Sequence, residues 1–120
     1  MSNAMQNALD DVPRCGLATS SVLTAFYRDQ VFVWLRGEVD LALAPDLDAV
    51  AAHAPYLARR LTIDAARVRF CDSNVVNFIV RTSSAMPVTV RRPSSPFSDL
   101  MAAAGLAQLV SIDHAPGQEW

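Results

Sequence analysis

Gln30-Val31-Phe32-Val33-Trp34-Leu35-Arg36 is the stretch on which the reading of the whole chain turns. Its β-branched and aromatic residues favour a pleated strand, and the run is too continuously apolar for a strand with one wet face. It predicts a central strand buried on both sides. Immediately upstream, Val22, Thr24 and Phe26 alternate within Ser21 to Tyr27, and Arg28-Asp29 supplies a turn. The two segments predict an opening hairpin.

Downstream, Gly37-Glu38-Val39-Asp40 ends the strand. Pro45 suits the first position of a helix, with Asp46 and Asp48 in the first turn, where the helix dipole favours negative charge. Leu47, Val50, Ala51 and Ala54 share one face, and Pro55 is expected to end or kink the helix near Ala54. Arg60 to Ala65 reads as a third strand. Phe70-Cys71-Asp72-Ser73 reads as a short connection into a second helix capped by Asp72 or Ser73, whose apolar face is Val75, Val76, Ile79 and Val80. Pro87 to Arg91 reads as a fourth strand and Arg92-Pro93-Ser94-Ser95 as a loop. Pro96 opens a third helix through Phe97, Leu100, Met101 and Ala104, which Gly105 terminates. Leu109 to Asp113 is a short last strand. Strands alternating with helices after a hairpin define an α/β domain with a mostly parallel sheet of four to five strands. Val33, Trp34, Leu61, Ile63, Ile79, Val88, Phe97 and Leu100 are its expected core.

At 120 residues the chain has the length of one domain. Met1 to Ala4 reads as an expression-tag scar, 5–19 as a loose N-terminal arm, 20–113 as the domain and 114–120 as a C-terminal tail. Apolar residues at 52% and charged residues at 18% describe a globular chain, not a disordered one. The net charge of −2 gives no electrostatic footprint for nucleic acid or an anionic membrane, although all ten basic residues are arginine. No apolar run approaches the roughly 20 residues of a membrane span, and no secretory signal is expected. Cys15 and Cys71 form no C-x-x-C pair and read as two reduced thiols of a cytoplasmic protein.

Catalytic patterns are weak. Ser73 lacks a nucleophile-elbow G-x-S-x-G, and the two histidines, His53 and His114, lie in an alanine-rich helix and in the tail. Four scattered glycines build no phosphate-binding loop, and Cys15, Cys71, His53 and His114 have no metal-ligand spacing. Neither an enzyme nor a cofactor or metal site is expected. Asp40, Asp72-Ser73 and the Arg92-to-Ser95 loop instead follow three different strands. In an open parallel sheet, functional groups gather beyond the carboxyl ends of strands. Ser73 at a helix N-terminus also suits phosphorylation, since the dipole and free N–H groups stabilise a phosphate there. Capping alone accounts equally for Asp72-Ser73, and a solvated turn accounts equally for Asp40.

The pieces Gly37-Glu38-Val39-Asp40, Ile63-Asp64, Phe70-Cys71-Asp72-Ser73, Arg92-Pro93-Ser94 and Gly105-Leu106, in that order over roughly residues 20–113, resemble the STAS domain family of sulfate transporters and anti-sigma factor antagonists. The resemblance implies a non-enzymatic regulator that binds an anti-sigma factor with serine kinase activity. In it Ser73 is the phosphoacceptor, and phosphorylation releases the partner and so controls sigma-factor-dependent transcription. The implied docking set is Asp40, Asp72, Ser73, Asn74, Arg92 and Ser94, on a monomer or weak homodimer. Where the family usually continues Asp-Ser-Ser-Gly-Leu, this chain has Asp72-Ser73-Asn74-Val75-Val76. The alternatives are a STAS scaffold or transporter-associated subunit without a phosphoswitch, and a STAS domain that binds a small ligand.

Overall fold

The computed structural model describes residues 20–114. Strands β1 (Ser21–Tyr27) and β2 (Gln30–Val39) pair antiparallel through the Arg28-Asp29 turn, where Arg28 takes a positive φ of 59°. A 3₁₀ turn, Leu41–Leu43, leads into α1 (Ala44–Leu57), and β3 (Arg60–Cys71) follows. Then come α2 (Ser73–Ala85), β4 (Val88–Arg91), α3 (Ser95–Ala104), a second 3₁₀ turn, Leu106–Gln108, and β5 (Ser111–Asp113). The spatial strand order is β1-β2-β3-β4-β5, and every pair after the hairpin is parallel. The α/β class, the mostly parallel sheet and the opening hairpin are thus as the residues predict. Cys15, the proposed tag scar and arm, and all of the tail except His114 lie outside the described residues.

Each crossover steps to the next strand in the same direction. Right-handed crossovers then place the three described helices on one face of the sheet. This corrects the expectation for β2, which is buried on one face only: Val31, Val33, Leu35 and Val39 are buried, whereas Phe32 and Trp34 are half-buried on the other. Phe32 and Trp34 stack at a centroid distance of 5.9 Å. The helix-covered face continues through Leu61 and Ile63 of β3 and Val88 and Val90 of β4, which are register partners. Leu47 of α1, Val75, Phe78 and Ile79 of α2, and Phe97 and Met101 of α3 close it. Each of these larger side chains is worth about 1.5–3 kcal/mol when fully buried. Leu100 is half-buried against this core and does not lie inside it.

Three local expectations are corrected. Pro55 does not stop α1 at Ala54, because it removes a single helical hydrogen bond and the last turn still closes with Ala58 N–H donating to the Ala54 carbonyl at 2.9 Å. The inner face of α2 is Val75, Phe78, Ile79 and Thr82, with Val80 40% exposed and Val76 half-buried. Buried Thr82 satisfies its hydroxyl by donating to the Phe78 carbonyl at 2.9 Å. Finally, β3 runs to Cys71, well past Ala65, and makes strand of what reads as a connection.

Candidate functional site

The extension of β3 builds the site. Beyond Asp64 this strand leaves β4 and, among the described residues, pairs only with β2, in a ribbon ending at the register pair Val39 and Cys71. Between the Trp34–Asp64 pair and that end, β3 spends two more residues than β2, at two register shifts. Such bulges bend a strand and increase its twist. The bend brings Cys71 against the start of α3, where its Sγ donates weakly to the Pro96 carbonyl at 3.8 Å. The residues following the paired strand ends are Asp40 and Asp72, so these two acids leave the sheet about one strand spacing, ~4.8 Å, apart.

Both acids cap. The Asp40 Oδ1 accepts from the Ala42 N–H at 3.1 Å, opening the 3₁₀ turn. The Asp72 Oδ1 accepts from the Asn74 N–H at 2.9 Å and from the Asn74 side-chain amide at 3.0 Å. Asp72 is therefore the N-cap of α2, and Asn74 is held by it. Ser73, between them at the first helical position, is exposed. Val75 is fully buried, so its bulk points into the core and away from the surface around Ser73. Burial pushes the Cys71 thiol up from its ordinary pKa, and the neighbouring Asp72 charge adds to that.

The loop after β4 is used differently. The Arg92 guanidinium donates to the Asp64 Oδ2 at 2.8 Å, while the Asp64 Oδ1 accepts from the Ala66 N–H at 3.2 Å. Side-chain exposures of 22% for Arg92 and 8% for Asp64 make this a largely sequestered pair. The Ser94 Oγ caps α3 by accepting from the Phe97 N–H at 3.3 Å, and the Ser94 N–H donates to the Ala65 carbonyl at 3.0 Å. Of the expected docking set, the strand ends thus bring Asp40, Asp72, Ser73 and Asn74 together. Arg92 and Ser94 are anchored beside the middle of β3, with the adjoining start of α3 touching Cys71.

Two exposed apolar side chains flank the acids: Leu41 at 72% and Phe70 at 50% exposure. Sequence reasoning gave neither a role. The signal available was position, since each adjoins a strand end, but the β3 bulge hides the side on which Phe70 emerges. Elsewhere, the exposed His53 donates its ring Nδ1–H to the Ala49 carbonyl at 2.8 Å. No cluster of three metal-ligating side chains occurs among the described residues, and no described helix is long and apolar enough to cross a membrane.

A five-stranded sheet with one antiparallel edge, the described helices on one face and an acid-capped helix after the third strand defines a class of small α/β domains. Residues 9–111 match the family model described as Mlab, STAS domain, and the chain belongs to the STAS domain family. Among solved structures, it resembles the anti-sigma factor antagonist SpoIIAA in its unphosphorylated form, with a TM-score of 0.67 and 18% identity over 77% of this chain and 87% of that one. The phosphorylated form of SpoIIAA, a Bacillus cell fate determinant, gives 0.60 and 17% over 77% and 90%. An anti-sigma factor antagonist from Mycobacterium paratuberculosis gives 0.60 and 21% over 80% and 86%. At these identities the likeness is one of fold. No curated protein sequence matches.

Proposed function

We propose that this chain is a cytoplasmic anti-sigma factor antagonist that docks a protein partner through the edge formed by Asp40, Leu41, Phe70, Asp72 and Ser73. The observation that carries the reading is Ser73 itself: an exposed hydroxyl residue at the first position of a helix that Asp72 caps. The exposed apolar pair supplies contact area, and the acids with Ser73 supply specificity, the usual division between the centre and rim of an interface. The partner is an anti-sigma factor with serine kinase activity. Transfer of the γ-phosphoryl group of ATP to the Ser73 Oγ, with release of ADP and the hydroxyl proton, ends the complex and returns the anti-sigma factor to its sigma factor.

The electrostatics give the switch adequate strength. A phosphate adds roughly −1.5 to −2 charges at neutral pH. Two unit charges 5 Å apart interact by about 0.8 kcal/mol in water and about 3 kcal/mol at an effective dielectric of 20. A docked edge lies between those limits, so modification next to Asp72 weakens an acid-tolerant but not phosphate-tolerant contact by about tenfold to a thousandfold. The buried orientation of Val75 supports this reading, because the residue in the family's glycine position does not obstruct approach to Ser73.

A second reading, a static docking subunit such as a transporter-associated STAS domain, is favoured by the Asp72-Ser73-Asn74-Val75 sequence itself, which departs from the family's usual continuation. Capture of partners from the native host with phosphopeptide mapping separates the two. Recovery of a kinase-like anti-sigma factor together with phosphate on Ser73 supports the switch. Recovery of a membrane permease assembly with Ser73 unmodified supports the static subunit.

A further inference from the structure

The outer edge of β1 carries a second feature, independent of the docking edge. The hairpin turn has two residues, Arg28 and Asp29, and closes on the pair Tyr27 and Gln30. Two-residue turns close on a hydrogen-bonded pair, and in an antiparallel ladder such pairs alternate with pairs that make no bond to each other. Ser21, Leu23, Ala25 and Tyr27 therefore spend their backbone groups on β2. Val22, Thr24 and Phe26 aim theirs outward, where, among the described residues, no strand follows. Sheet edges are ordinarily blunted by shortness, charge, proline or a bulge. The opposite edge, β5, is three residues long and ends in Asp113. By contrast β1 has seven residues, Ser-Val-Leu-Thr-Ala-Phe-Tyr, without a charge or a proline, and its register with β2 is unbroken.

We propose that this edge is a homodimer interface, in which the β1 strands of two copies pair antiparallel across a two-fold axis at Thr24 and join the two sheets. What selects a second copy is self-complementarity, which a two-fold contact requires. The register that sets Ser21 opposite Tyr27, Val22 opposite Phe26 and Thr24 opposite itself overlaps the whole strand. It also pairs outward groups with outward groups only, and so satisfies Val22, Thr24 and Phe26 of both copies with about six hydrogen bonds. Its side-chain pairs are aromatic with β-branched and threonine with threonine, two of the favourable cross-strand pairings. Phe26, 53% exposed, gains cover from Val22 of the other copy. The charges agree as well. The register carries Arg28 of one copy to Ser20 of the other, whose Oγ accepts from the Glu38 N–H at 2.9 Å, and so sets that cation beside Glu38 at both ends. Asp10, Asp11 and Pro13 disfavour the residues preceding β1 as an alternative strand for this edge. A strand of ~23 Å makes an interface at the low end of the specific range, about 1,200 Å² or less, so the dimer is weak and concentration-dependent.

The test is sedimentation equilibrium of the full chain over a range of concentrations, with cross-linking as a second readout. A reversible monomer–dimer equilibrium is expected. Thr24→Lys sets two like charges opposite each other across the axis and should raise the dissociation constant about tenfold or more. Phe26→Lys, at an exposed position, should also weaken the dimer, and it serves alone if thermal unfolding shows Thr24→Lys to be unfolded. Thr24→Cys, in a Cys15→Ser and Cys71→Ser background, should oxidise to a covalent dimer, because the Cα atoms of a hydrogen-bonded pair lie about 5.5 Å apart, within disulfide reach. Tyr56→Cys in the same background, at a position 88% exposed but remote from β1 in the pairing, should oxidise much more slowly. A chain that stays monomeric up to about 1 mM, a dimer whose affinity the lysine substitutions leave unchanged, or Thr24→Cys that oxidises no faster than Tyr56→Cys would each overturn the proposal. None of these outcomes bears on the anti-sigma factor reading, which rests on Ser73.

Discussion

At the corner after β4, Arg92 takes a positive φ of 49°, pairs with buried Asp64 and hands the chain to Ser94, which caps α3. At the corner after β3, Asp72 caps α2 in the same manner, yet the next residue, Ser73, faces solvent beside an exposed Phe70. Both corners use a short polar residue to satisfy the first helical N–H groups. They differ in what is left over. After β4 the charged side chain turns back onto the sheet and is consumed by it. After β3 the strand has outrun its neighbour β4, so the polar groups emerge at a free end. A cap is therefore no sign of function by itself. What sets the proposed docking corner apart is a strand long enough to carry the cap clear of the sheet.

That contrast can be broken by substitution. The largest effect belongs to Asp64→Ala, which strands the Arg92 guanidinium beside the sheet. Breaking a buried pair costs about 3–5 kcal/mol, and because Arg92 keeps partial access to water we expect a loss near ~3 kcal/mol in urea unfolding. A loss below 1 kcal/mol would show that the β4 corner is not structural in the sense described. The two caps should be equivalent: Asp72→Ala and Ser94→Ala should each cost about 1 kcal/mol in the same measurement. A cost several times greater for Asp72 would place it in the scaffold like Asp64. Ser73→Ala, at an exposed position, should stay within about 0.5 kcal/mol of the parent, and a larger loss would erase the difference between the corners.

The smallest effect is chemical. Burial first, and the Asp72 charge second, raise the Cys71 pKa, so its reactive thiolate forms only at higher pH than that of an unstructured cysteine. In a Cys15→Ser background, alkylation of Cys71 should therefore run slower than that of a peptide cysteine around pH 8. Asp72→Ala should speed it modestly by removing the like charge. Equal rates in the folded protein and the peptide would place Cys71 outside the packed corner.

The order of elements was legible because each apolar run has the period of its element and each helix starts at a cap or a proline. Burial was less so. The aromatic run of β2 reads as doubly buried, and local sequence carries no information that successive right-handed crossovers put all the described helices on the other face of the sheet. The face of α2 was misassigned because Thr82 is polar in composition but satisfies its hydroxyl within the helix, and so can be buried where Val80 is not. The end of β3 was hidden for a related reason. Arg67 and Arg69 are exposed, and a bulged ribbon with a single partner strand has neither clean alternation nor a long apolar run. At the candidate site, the neighbouring placement of Asp40, Asp72 and Ser73 was legible because each follows a strand. The fixed roles of Arg92 and Ser94 were not, because they depend on Asp64 and Ala65, nearly thirty residues away in sequence.

The central claim is that the charge state of residue 73 governs partner binding, and calorimetry against the cognate anti-sigma factor tests it most directly. Parent, Ser73→Ala and Ser73→Asp are titrated with and without ATP. The expected result is parent-like affinity for Ser73→Ala that ATP does not abolish, loss of the parent complex on adding ATP, and affinity for Ser73→Asp lowered about tenfold or more. Binding of Ser73→Asp as tight as that of the parent, with ATP leaving the parent complex intact, would contradict it.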